Sequence, residues 1–393
     1  MTEPSNWLPL TPANVRAAHA RIASHIHRTP VLTCRTLDRI ASTPQDPADL
    51  VGTAWEGQTP ARPRFRFFFK CENLQRIGAF KPRGAFHAVL RLLDERGEEE
   101  VRRRGVITHS SGNHAQALAL AAATLSIPAY IVMPSISTPS KIASTQALGA
   151  KVVFSGSTST EREAVTERIQ AETGAIFVPP YDHPDIILGQ GTVGLELEEQ
   201  YAELKKGEKE HGEDNDDEEP VLDAVFTPIG GGGLNAGVAT YFSSTTEEDN
   251  SSSSKKKKTK VFGAEPSFEG ADDCRRGLAA GSRIETVSSK TIADGLRTPV
   301  GVNNWAVISD PSKVAGVYAV SDEQIKKAMR LVLERMKVVV EPSAVVGLAV
   351  CLFDEDFRRL VEKEGGEKGW DVGIVFSGGN TTVEAIASMF GSK

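Results

Sequence analysis

Hydrophobic and polar positions along the chain follow two alternating patterns. Short runs of β-branched and aromatic residues are separated by longer segments with apolar residues at helical spacing, such as GNHAQALALAAATL (112–125) and TEREAVTERIQAET (160–173). The predicted strands are FRFFFK (65–70), GVITHSS (105–111), AYIVMP (129–134), KVVFSG (151–156), AIFVPP (175–180), AVFTPIG (224–230), KVFGAEP (260–266) and GIVFSGG (373–379). This alternation predicts βαβ units, so we expect an α/β fold with mainly parallel sheets flanked by helices.

Capping signals mark the start of two predicted helices. Thr11 followed by Pro12 is typical of a helix N-terminus. The apolar stripe of this helix consists of Val15, Ala18 and Ile22. We favour a helix of the fold over a transit peptide for this segment. In VSDEQIKKAMRLVLERM (320–336), Ser321 and Gln324 have the spacing of a capping box.

Three stretches interrupt the alternation and are predicted as solvated loops. Residues 42–64 are rich in proline and glycine, residues 203–219 carry nine acidic residues and three lysines, and residues 243–260 are of low complexity. Neither of the last two stretches can bury apolar area, and the first is predicted as a loop from its proline and glycine content. A nuclear-import signal is a minor alternative for the tetralysine in the last stretch.

The formal net charge of −7 lies mostly in one of these loops, because residues 203–219 contribute −6. The rest of the chain is nearly neutral, which argues against nucleic acid or an anionic membrane as a partner. No uninterrupted apolar run has membrane-spanning length. The cysteines, which form no CxxC pair, are Cys34, Cys71, Cys274 and Cys351. Their scatter indicates a reducing compartment, so we expect a cytoplasmic protein.

One lysine has unusual neighbours. In the stretch GAFKPRGAF, Lys81 lies between Phe80 and Pro82, and Gly78 and Gly84 stand three positions away on either side. Proline favours an extended conformation in the residue before it, and the glycines permit a bulky group close to the backbone. An apolar environment lowers the pKa of a lysine and supplies the neutral amine that Schiff-base chemistry requires. A solvent-exposed lysine at a strand-to-helix turn is the alternative.

The segment TPIGGGGLNAG (227–237) predicts a phosphate site. It follows a strand and enters a helix, so its consecutive glycines expose backbone N–H groups at a positive helix N-terminus. A dinucleotide site is the rival interpretation, since Gly231, Gly233 and Gly237 come near the GxGxxG spacing. The third glycine is one residue late for that motif, and no acidic residue follows at the expected distance.

Polar turns are predicted at the ends of further segments. HSSGNHAQA (109–117) offers the side chains of Ser110, Ser111, Asn113 and His114 at a helix start, where plain N-capping is the alternative role. Similar small polar turns occur at GQGT (189–192), EPSA (341–344) and SGGN (377–380). A constrained lysine, a glycine phosphate loop and polar strand-end turns together fit pyridoxal phosphate, which carries both an aldehyde and a phosphate.

With these motifs the chain resembles the serine racemase and serine/threonine dehydratase family of fold type II pyridoxal-phosphate enzymes. The likeness extends from TPVL (29–32) to SGGN (377–380). The motifs that carry it, in order, are FFKCENLQRIGAFKPRGA, SSGNHAQA, GQGT, GGGG, AEPSFEGADDC with TIADGL, and SGGN. Ala79 departs from the pattern, because the family often has serine there, and this puts details of the substrate pocket in doubt.

The resemblance implies roles for individual residues. Lys81 would form the Schiff base, with Phe80 packed beside the cofactor ring, and Asn113 would hydrogen-bond the ring hydroxyl. The phosphate would be held by Gly230, Gly231, Gly232 and Gly233. Ser377 would face the pyridine nitrogen, where a hydroxyl makes the ring a weaker electron sink than a carboxylate does. The substrate carboxylate would be bound by the loop residues Ser110, Ser111, Asn113 and His114.

Ser111 separates the two reactions of the family. Racemases of this family have a serine immediately before GNH, on the ring face opposite the lysine, whereas dedicated threonine dehydratases usually have alanine there. Racemisation requires proton transfer on both faces, for which Lys81 and Ser111 would serve. Elimination requires only Lys81 and loss of the β-hydroxyl. The sequence permits both reactions, and an N-cap remains the alternative role of Ser111.

The resemblance also implies a metal site, an assembly and a domain arrangement. Mg²⁺ or Ca²⁺ would be bound by Glu265, by the carbonyl of Ala271 and by Asp273, and a solvated acidic turn is the alternative. A homodimer is implied, and a nucleotide effector is possible. We expect residues 105–182 to form a small domain inserted in a large one made of residues 1–104 and 183–393, with the cofactor in the cleft.

We therefore predict a serine racemase with accompanying dehydration of serine to pyruvate and ammonia. A dehydratase of threonine or 3-hydroxyaspartate is the alternative with the same site. From other classes, a non-catalytic pyridoxal-phosphate or nucleotide-binding protein and a nicotinamide-dependent oxidoreductase remain open.

Overall fold

The structure is a computed structural model that describes residues 7–110, 112–137, 139–210, 220–243 and 257–391. Its strands are β1 (Val31–Leu32), β2 (Phe65–Cys71), β3 (Val106–His109), β4 (Ala129–Pro134), β5 (Lys151–Ser155), β6 (Ile176–Phe177), β7 (Ala224–Pro228), β8 (Lys260–Pro266), β9 (Gly316–Val320) and β10 (Trp370–Phe376). Its helices are α1 (Pro12–Ile22), α2 (Arg35–Ser42), α3 (Pro82–Arg96), α4 (Glu98–Arg104), α5 (Asn113–Thr124), α6 (Pro139–Ala147), α7 (Ser159–Thr173), α8 (Pro184–Glu210), α9 (Gly233–Phe242), α10 (Asp273–Ala280), α11 (Val302–Ile308), α12 (Asp322–Leu331), α13 (Val346–Phe353), α14 (Glu355–Gly365) and α15 (Val383–Phe390).

The strands form two sheets. The larger has six strands in the order β1-β2-β10-β7-β8-β9 and is parallel except for the β1–β2 pair. Its central strand, β10, is buried at every position, as are the five residues of β7. Strands buried on both faces have nearly continuous apolar sequences, as AVFTP and WDVGIVF do apart from Thr227 and Asp371.

The smaller sheet has four parallel strands in the order β5-β4-β3-β6. It is built entirely from residues between Val106 and Phe177, and α5 and α7 pack against it. Two parallel-type sheets flanked by helices confirm the predicted α/β class. The domain boundaries at 104/105 and 182/183 stay predictions.

The capping signals and the predicted strands are confirmed. The Thr11 hydroxyl accepts from the Asn14 N–H, and Ser321 and Gln324 form a capping box at the start of α12. All eight predicted strands are present, but β1 and β9 were missed. Strand β1 has only two residues, and β9 has intermediate exposure at three of its five positions, so neither gives a buried run or a clean alternation.

The prediction of a loop over 203–219 is wrong for its first part. Helix α8 continues to Glu210, since glutamate, lysine and leucine are good helix formers and Lys205 pairs with Glu208 at 2.5 Å. Residues 211–219 and 244–256 lie outside the described residues. Residues 43–64 contain one short 3₁₀ helix, Pro47–Leu50, and are otherwise irregular.

The GQGT segment is not a strand-end turn, as predicted, but lies inside α8. A Cβ on Gly189 would lie 2.6 Å from the Arg83 carbonyl oxygen, and one on Gly191 would lie 2.6 Å from the Gly237 carbonyl oxygen. A Cβ on Gly84 would overlap Gln190. These glycines therefore allow α3, α8 and α9 to pack closely, and the bulky neighbour that Gly84 accommodates is protein.

Candidate active site

The strand-end segments with predicted roles converge at one edge of the large sheet. Lys81 follows β2, the glycine loop follows β7 and Ser377 follows β10, and these strands are parallel neighbours. The Ser110–His114 segment follows β3 of the small sheet. In parallel sheets, ligands bind in crevices outside the carboxyl ends of the strands.

Backbone hydrogen bonds join the lysine loop to the Ser377 loop. The Phe80 N–H donates to the Ser377 carbonyl at 3.0 Å, and the Gly379 N–H donates to the Gly78 carbonyl at 2.9 Å. Ala79 and Gly378 form an antiparallel bridge between these contacts. Two segments about 300 positions apart in the chain, at 78–80 and 377–379, are thus held together by main-chain bonds.

Lys81 has a desolvated amine that pairs with no carboxylate among the described residues. Its Nζ donates to the Pro180 carbonyl at 2.8 Å and lies 5.2 Å from the centre of the Phe80 ring. Burial lowers the pKa of Lys81 to about 8. A fraction of this amine is therefore neutral near physiological pH, as Schiff-base chemistry requires.

The prediction of an extended conformation at Lys81 is wrong. Lys81 has φ −54° and ψ −30°, which are helical values, and its carbonyl accepts the Ala85 N–H at 3.1 Å. It is the N-cap of α3, so Pro82 is the first helical residue, where its missing N–H costs nothing. The hydrogen bond from the Phe80 N–H to Ser377 holds this turn from the other side.

The glycine loop has free donors and little room for side chains. The N–H groups of Gly230, Gly231 and Gly232 donate to no group within the described residues, and the loop leads into α9. The Gly232 φ is +89°, and a Cβ on Gly231 would overlap the ring of Tyr181. Unpaired N–H groups at a helix N-terminus fit a phosphate group.

Asn113 is held in a chain of directed hydrogen bonds. Its Nδ2 donates to Glu341 Oε1 at 3.2 Å, and its Oδ1 accepts from Asn380 Nδ2 at 2.8 Å. Asn380 Nδ2 also donates to the Ile77 carbonyl at 2.8 Å. Glu341 is 6 % exposed, and burial raises its pKa to about 7.

The remaining candidate residues of the polar loop have different surroundings. The Ser110 hydroxyl accepts from the Gly112 N–H at 3.3 Å. His114 is buried with Nε2 3.3 Å from the Val178 carbonyl, and burial lowers its pKa to about 3, so the imidazole is neutral. Ser111, the residue on which the racemase prediction depends, lies outside the described residues.

The predicted metal ligands form a pair of buried carboxyl groups. Glu265 accepts from the backbone N–H of Cys274 at 3.1 Å and of Arg275 at 3.0 Å, and burial together with Asp273 raises its pKa well above the usual value. Asp273 accepts from the Val300 N–H at 3.2 Å, and burial raises its pKa to about 6. Ala271 is fully buried nearby in the chain.

Burial makes it costly to charge both carboxyl groups, and Asp273 adds to the cost at Glu265. A bound cation would offset that cost. Within the described ranges, no group of three or more His, Cys, Asp or Glu side chains is arranged to hold a metal ion. A cation here would therefore need main-chain oxygen or water as its other ligands. All four cysteines are free, and none of the described helices is long and apolar enough to span a bilayer.

Sequence reasoning missed three residues that surround the predicted ligands. Glu341 and Asn380 belong to the polar turns EPSA and SGGN, which were quoted without assigning these side chains a role. Tyr181 covers the glycine loop from the end of the small sheet. A buried glutamate that follows an apolar run and precedes proline was the available signal for Glu341.

The family model for pyridoxal-phosphate dependent enzymes matches residues 53–378, so the chain belongs to this family. Its fold is that of the fold type II enzymes. This result favours the phosphate interpretation of the glycine loop over the dinucleotide one.

Relatives with high coverage carry two activities in their names. The chain is 37% identical to a serine racemase of Oryza sativa subsp. japonica, over 95% of this chain and 91% of the relative. It is also 37% identical to the L-threo-3-hydroxyaspartate ammonia-lyase of Saccharomyces cerevisiae, over 98% of this chain and 97% of the relative. The structure of maize serine racemase superposes with a TM-score of 0.77 at 35% identity, covering 96% of each chain. The protein is thus a pyridoxal-phosphate-dependent enzyme similar to both amino-acid racemases and ammonia-lyases.

Proposed function

We propose that the enzyme interconverts L- and D-serine and also dehydrates serine to pyruvate and ammonia. The observation that carries this proposal is the pairing of a desolvated lysine, Lys81, with a serine immediately before the GNH motif, Ser111. The similarity to serine racemases over nearly the whole chain supports it.

In this proposal the cofactor is held by residues from four strand ends. Lys81 would bind its aldehyde carbon, and Asn113 would donate to its ring hydroxyl. The free N–H groups of the 230–233 loop would bind the phosphate, and Ser377, which is 3 % exposed, would face the ring nitrogen. When bound, pyridoxal phosphate withdraws electrons from the substrate Cα and so acidifies its proton.

Two residues of the chain would then move the Cα proton. The Lys81 amine, with its pKa lowered to about 8, would take up or return the proton on one face. The Ser111 hydroxyl would do so on the opposite face. The Ser377 hydroxyl, rather than a carboxylate, favours proton transfer and elimination over transamination, because it does not hold a charge on the ring nitrogen.

A dehydratase of L-threonine, L-serine or 3-hydroxyaspartate is the second candidate. The yeast ammonia-lyase is as similar as the plant racemases and is covered along nearly its full length. Elimination needs Lys81 for the Cα proton and departure of the β-hydroxyl, with no second base. The Ser111 hydroxyl would then act only as a helix cap.

We further propose, from the resemblance, a cytoplasmic homodimer with Mg²⁺ or Ca²⁺ at Glu265, Ala271 and Asp273. The buried pair of carboxyl groups with raised pKa values supports the cation site. A nucleotide effector and the division into domains at 105–182 belong to the same set of proposals.

The first experiment supplies purified enzyme and Mg²⁺ with L-serine, L-threonine or L-threo-3-hydroxyaspartate in separate reactions. D-amino acid and keto acid are assayed in each, for wild type, Ser111→Ala and the remote control Ser309→Ala. D-serine that is lost only in Ser111→Ala, with keto acid retained, is the expected result. Keto acid alone, unchanged in Ser111→Ala, would make the enzyme a dehydratase.

A further inference from the structure

We propose that Glu341 is a positioning residue, whose carboxyl group fixes the side-chain amide of Asn113 so that an N–H of Asn113 faces the cofactor ring. The inference rests on the proposed function, which places the ring hydroxyl beside Asn113. It assigns a role to a buried acidic group that neither Schiff-base formation nor proton transfer at Cα uses.

The Ile77 backbone carbonyl fixes the donor and the acceptor in each of the hydrogen bonds that link Asn380, Asn113 and Glu341. The Ile77 carbonyl can only accept, so the nitrogen of the Asn380 amide must face it, at 2.8 Å. The same nitrogen lies 2.8 Å from the facing atom of Asn113, which must therefore be the oxygen. The Asn113 nitrogen is then turned toward Glu341, whose carboxylate oxygen accepts at 3.2 Å.

This arrangement leaves one donor for a ligand. An amide NH₂ group has two hydrogens, and Glu341 takes one of those of Asn113. The Asn113 oxygen is already occupied by Asn380. The second hydrogen of the Asn113 amide is thus the group that can reach the ring hydroxyl. If the amide were flipped, its nitrogen would face the Asn380 nitrogen and its oxygen would face the Glu341 oxygen, and neither pair could form a hydrogen bond.

Two further segments, the Ser377 loop and the segment that contains Gly295, lie against Glu341. Its N–H donates to the Gly378 carbonyl at 3.0 Å, next to Ser377. A Cβ on Gly378 would lie 2.8 Å from Glu341 Oε1, and one on Gly295 would lie 3.9 Å from the same oxygen. The carboxyl group therefore has little freedom to turn away from Asn113.

The charge of Glu341 is poised to change near neutral pH. Its pKa is raised to about 7 by burial and by Asp294, whereas Lys141 and the Asn113 donor lower it. Lys141 and Asp294 form an ion pair at 2.8 Å, and Asn113, Gly378, Gly295 and Asn380, the other neighbours, are uncharged. A protonated Glu341 can donate as well as accept, so it enforces the Asn113 orientation less strictly.

The test follows the absorption spectrum of the bound cofactor against pH in wild type, Glu341→Gln and Glu341→Ala. Glu355→Gln is the matched control, because Glu355 is also a buried carboxyl group, bonded to the Ala61 N–H at 2.7 Å and away from the cofactor residues. We expect a spectral transition near pH 7 in wild type and Glu355→Gln that is absent in Glu341→Gln.

Cofactor affinity gives the second readout, by equilibrium dialysis against free pyridoxal phosphate. We expect Glu341→Ala and Asn113→Ala each to weaken binding about tenfold, as loss of one oriented hydrogen bond would. The double variant should be no weaker than Asn113→Ala. Glu341→Gln, which keeps an accepting oxygen, should remain within about threefold of wild type.

Additive losses in the double variant, or a spectral transition that persists in Glu341→Gln, would refute the positioning role. If Glu341→Ala fails to fold, the spectrum of Glu341→Gln decides alone. Failure of the proposed function is recognised separately, because wild-type holoenzyme would then hold the coloured cofactor yet form neither D-serine nor keto acid from L-serine.

Discussion

Arg83 and Lys81 lie two positions apart in the chain, but the positive charges of their side chains are surrounded in opposite ways. Arg83 is fully buried and donates to Glu72 at 2.7 and 2.8 Å and to Glu196 at 2.9 and 2.7 Å. Lys70, equally buried, donates to Glu196, to the Thr29 carbonyl and to a glutamine at 2.7–2.8 Å. We call Arg83, Lys70, Glu72 and Glu196 the charge cluster.

In the charge cluster each ion has its counter-ion. Burial works against the charge of Glu196, but hydrogen bonds from His19 and Arg83 hold its pKa well below the usual value. Lys81, two residues before Arg83, donates only to the Pro180 carbonyl within the described part of the chain, and its pKa falls to about 8. Burial lowers the pKa of Lys70 as well, but the Lys70 amine is paired with Glu196. The presence of a carboxylate partner, rather than burial alone, therefore distinguishes the cations of the charge cluster from Lys81, the proposed reactive amine.

The largest effect should come from removing the reactive amine. Lys81→Met is expected to lower turnover by at least about 10³-fold, because in the proposed function the Lys81 amine takes the Cα proton on one face. The free energy of unfolding of the cofactor-free protein should change by less than about 1 kcal/mol, since no ion pair is broken. Turnover assays and urea denaturation measure the two quantities. An active Lys81→Met enzyme would contradict the assignment.

The counterpart in the charge cluster should behave in the opposite way. Arg83→Met leaves Glu72 and Glu196 buried without their main partner and is expected to cost about 3–5 kcal/mol of stability. The surface variant Arg168→Met is the control, since Arg168 is exposed and only loosely paired. Urea denaturation of both variants measures the difference. Equal stability of the two would show that the cluster contributes no specific stabilisation.

The carboxyl groups of Glu265 and Asp273 should lower the free energy of unfolding when they are charged and no cation is bound. The pKa of Asp273 is about 6 in the folded state against the usual 3.8, so the folded protein binds the proton more tightly. Without metal, stability should therefore fall by about 1–3 kcal/mol as pH rises from about 4 to 6.

Addition of Mg²⁺ or Ca²⁺ should reverse that loss at neutral pH, since the cation binds only the ionised pair. Asp273→Asn should be more stable than wild type without metal and should no longer respond to it. Melting temperature measured at two pH values, with and without metal, tests this. A metal response that is unchanged in Asp273→Asn would place the cation elsewhere.

The smallest effect should come from Ala79→Ser. A Cβ placed on Gly378 would lie 3.2 Å from the Ala79 Cβ and 2.8 Å from Glu341 Oε1, so Ala79 and Glu341 are on the same side of Gly378. We expect a hydroxyl added at Ala79 to come within hydrogen-bond reach of Glu341 and to stabilise its charged form by about 0.5–1.5 kcal/mol. The spectral transition near pH 7 should shift downward by up to about one unit. A shift upward would show that the hydroxyl does not reach the carboxylate.

The sequence was sufficient for features that depend on local pattern. Apolar runs identified the buried strands, and Thr11 and Ser321 identified helix starts, because both depend on neighbouring residues alone. Lys81 and the glycine loop were recognised as candidates for the same reason. Only glycine fits the crowded positions of the loop, and only lysine offers an amine for a Schiff base.

Features that depend on distant contacts were not predictable. Gly189 and Gly191 looked like turn residues, yet they mark where α8 meets α3 and α9, a contact between segments about 50–100 positions apart. The helical conformation of Lys81 depends on Ser377, and the importance of Glu341 depends on Asn113 and Ile77. No pattern within a short window carries that information.

The position of β10 has a consequence for how the protein is made. This strand lies between β2 and β7, yet it is translated after the other nine described strands. A nascent chain on the ribosome therefore exposes the apolar edges of β2 and β7 until residues 370–376 emerge. Because the Ser377 loop joins the lysine loop only after β10 is in place, we expect competence to capture the vitamin-derived cofactor to arise only after residues 370–379 have emerged. Truncated translation products would accordingly be colourless and prone to aggregate.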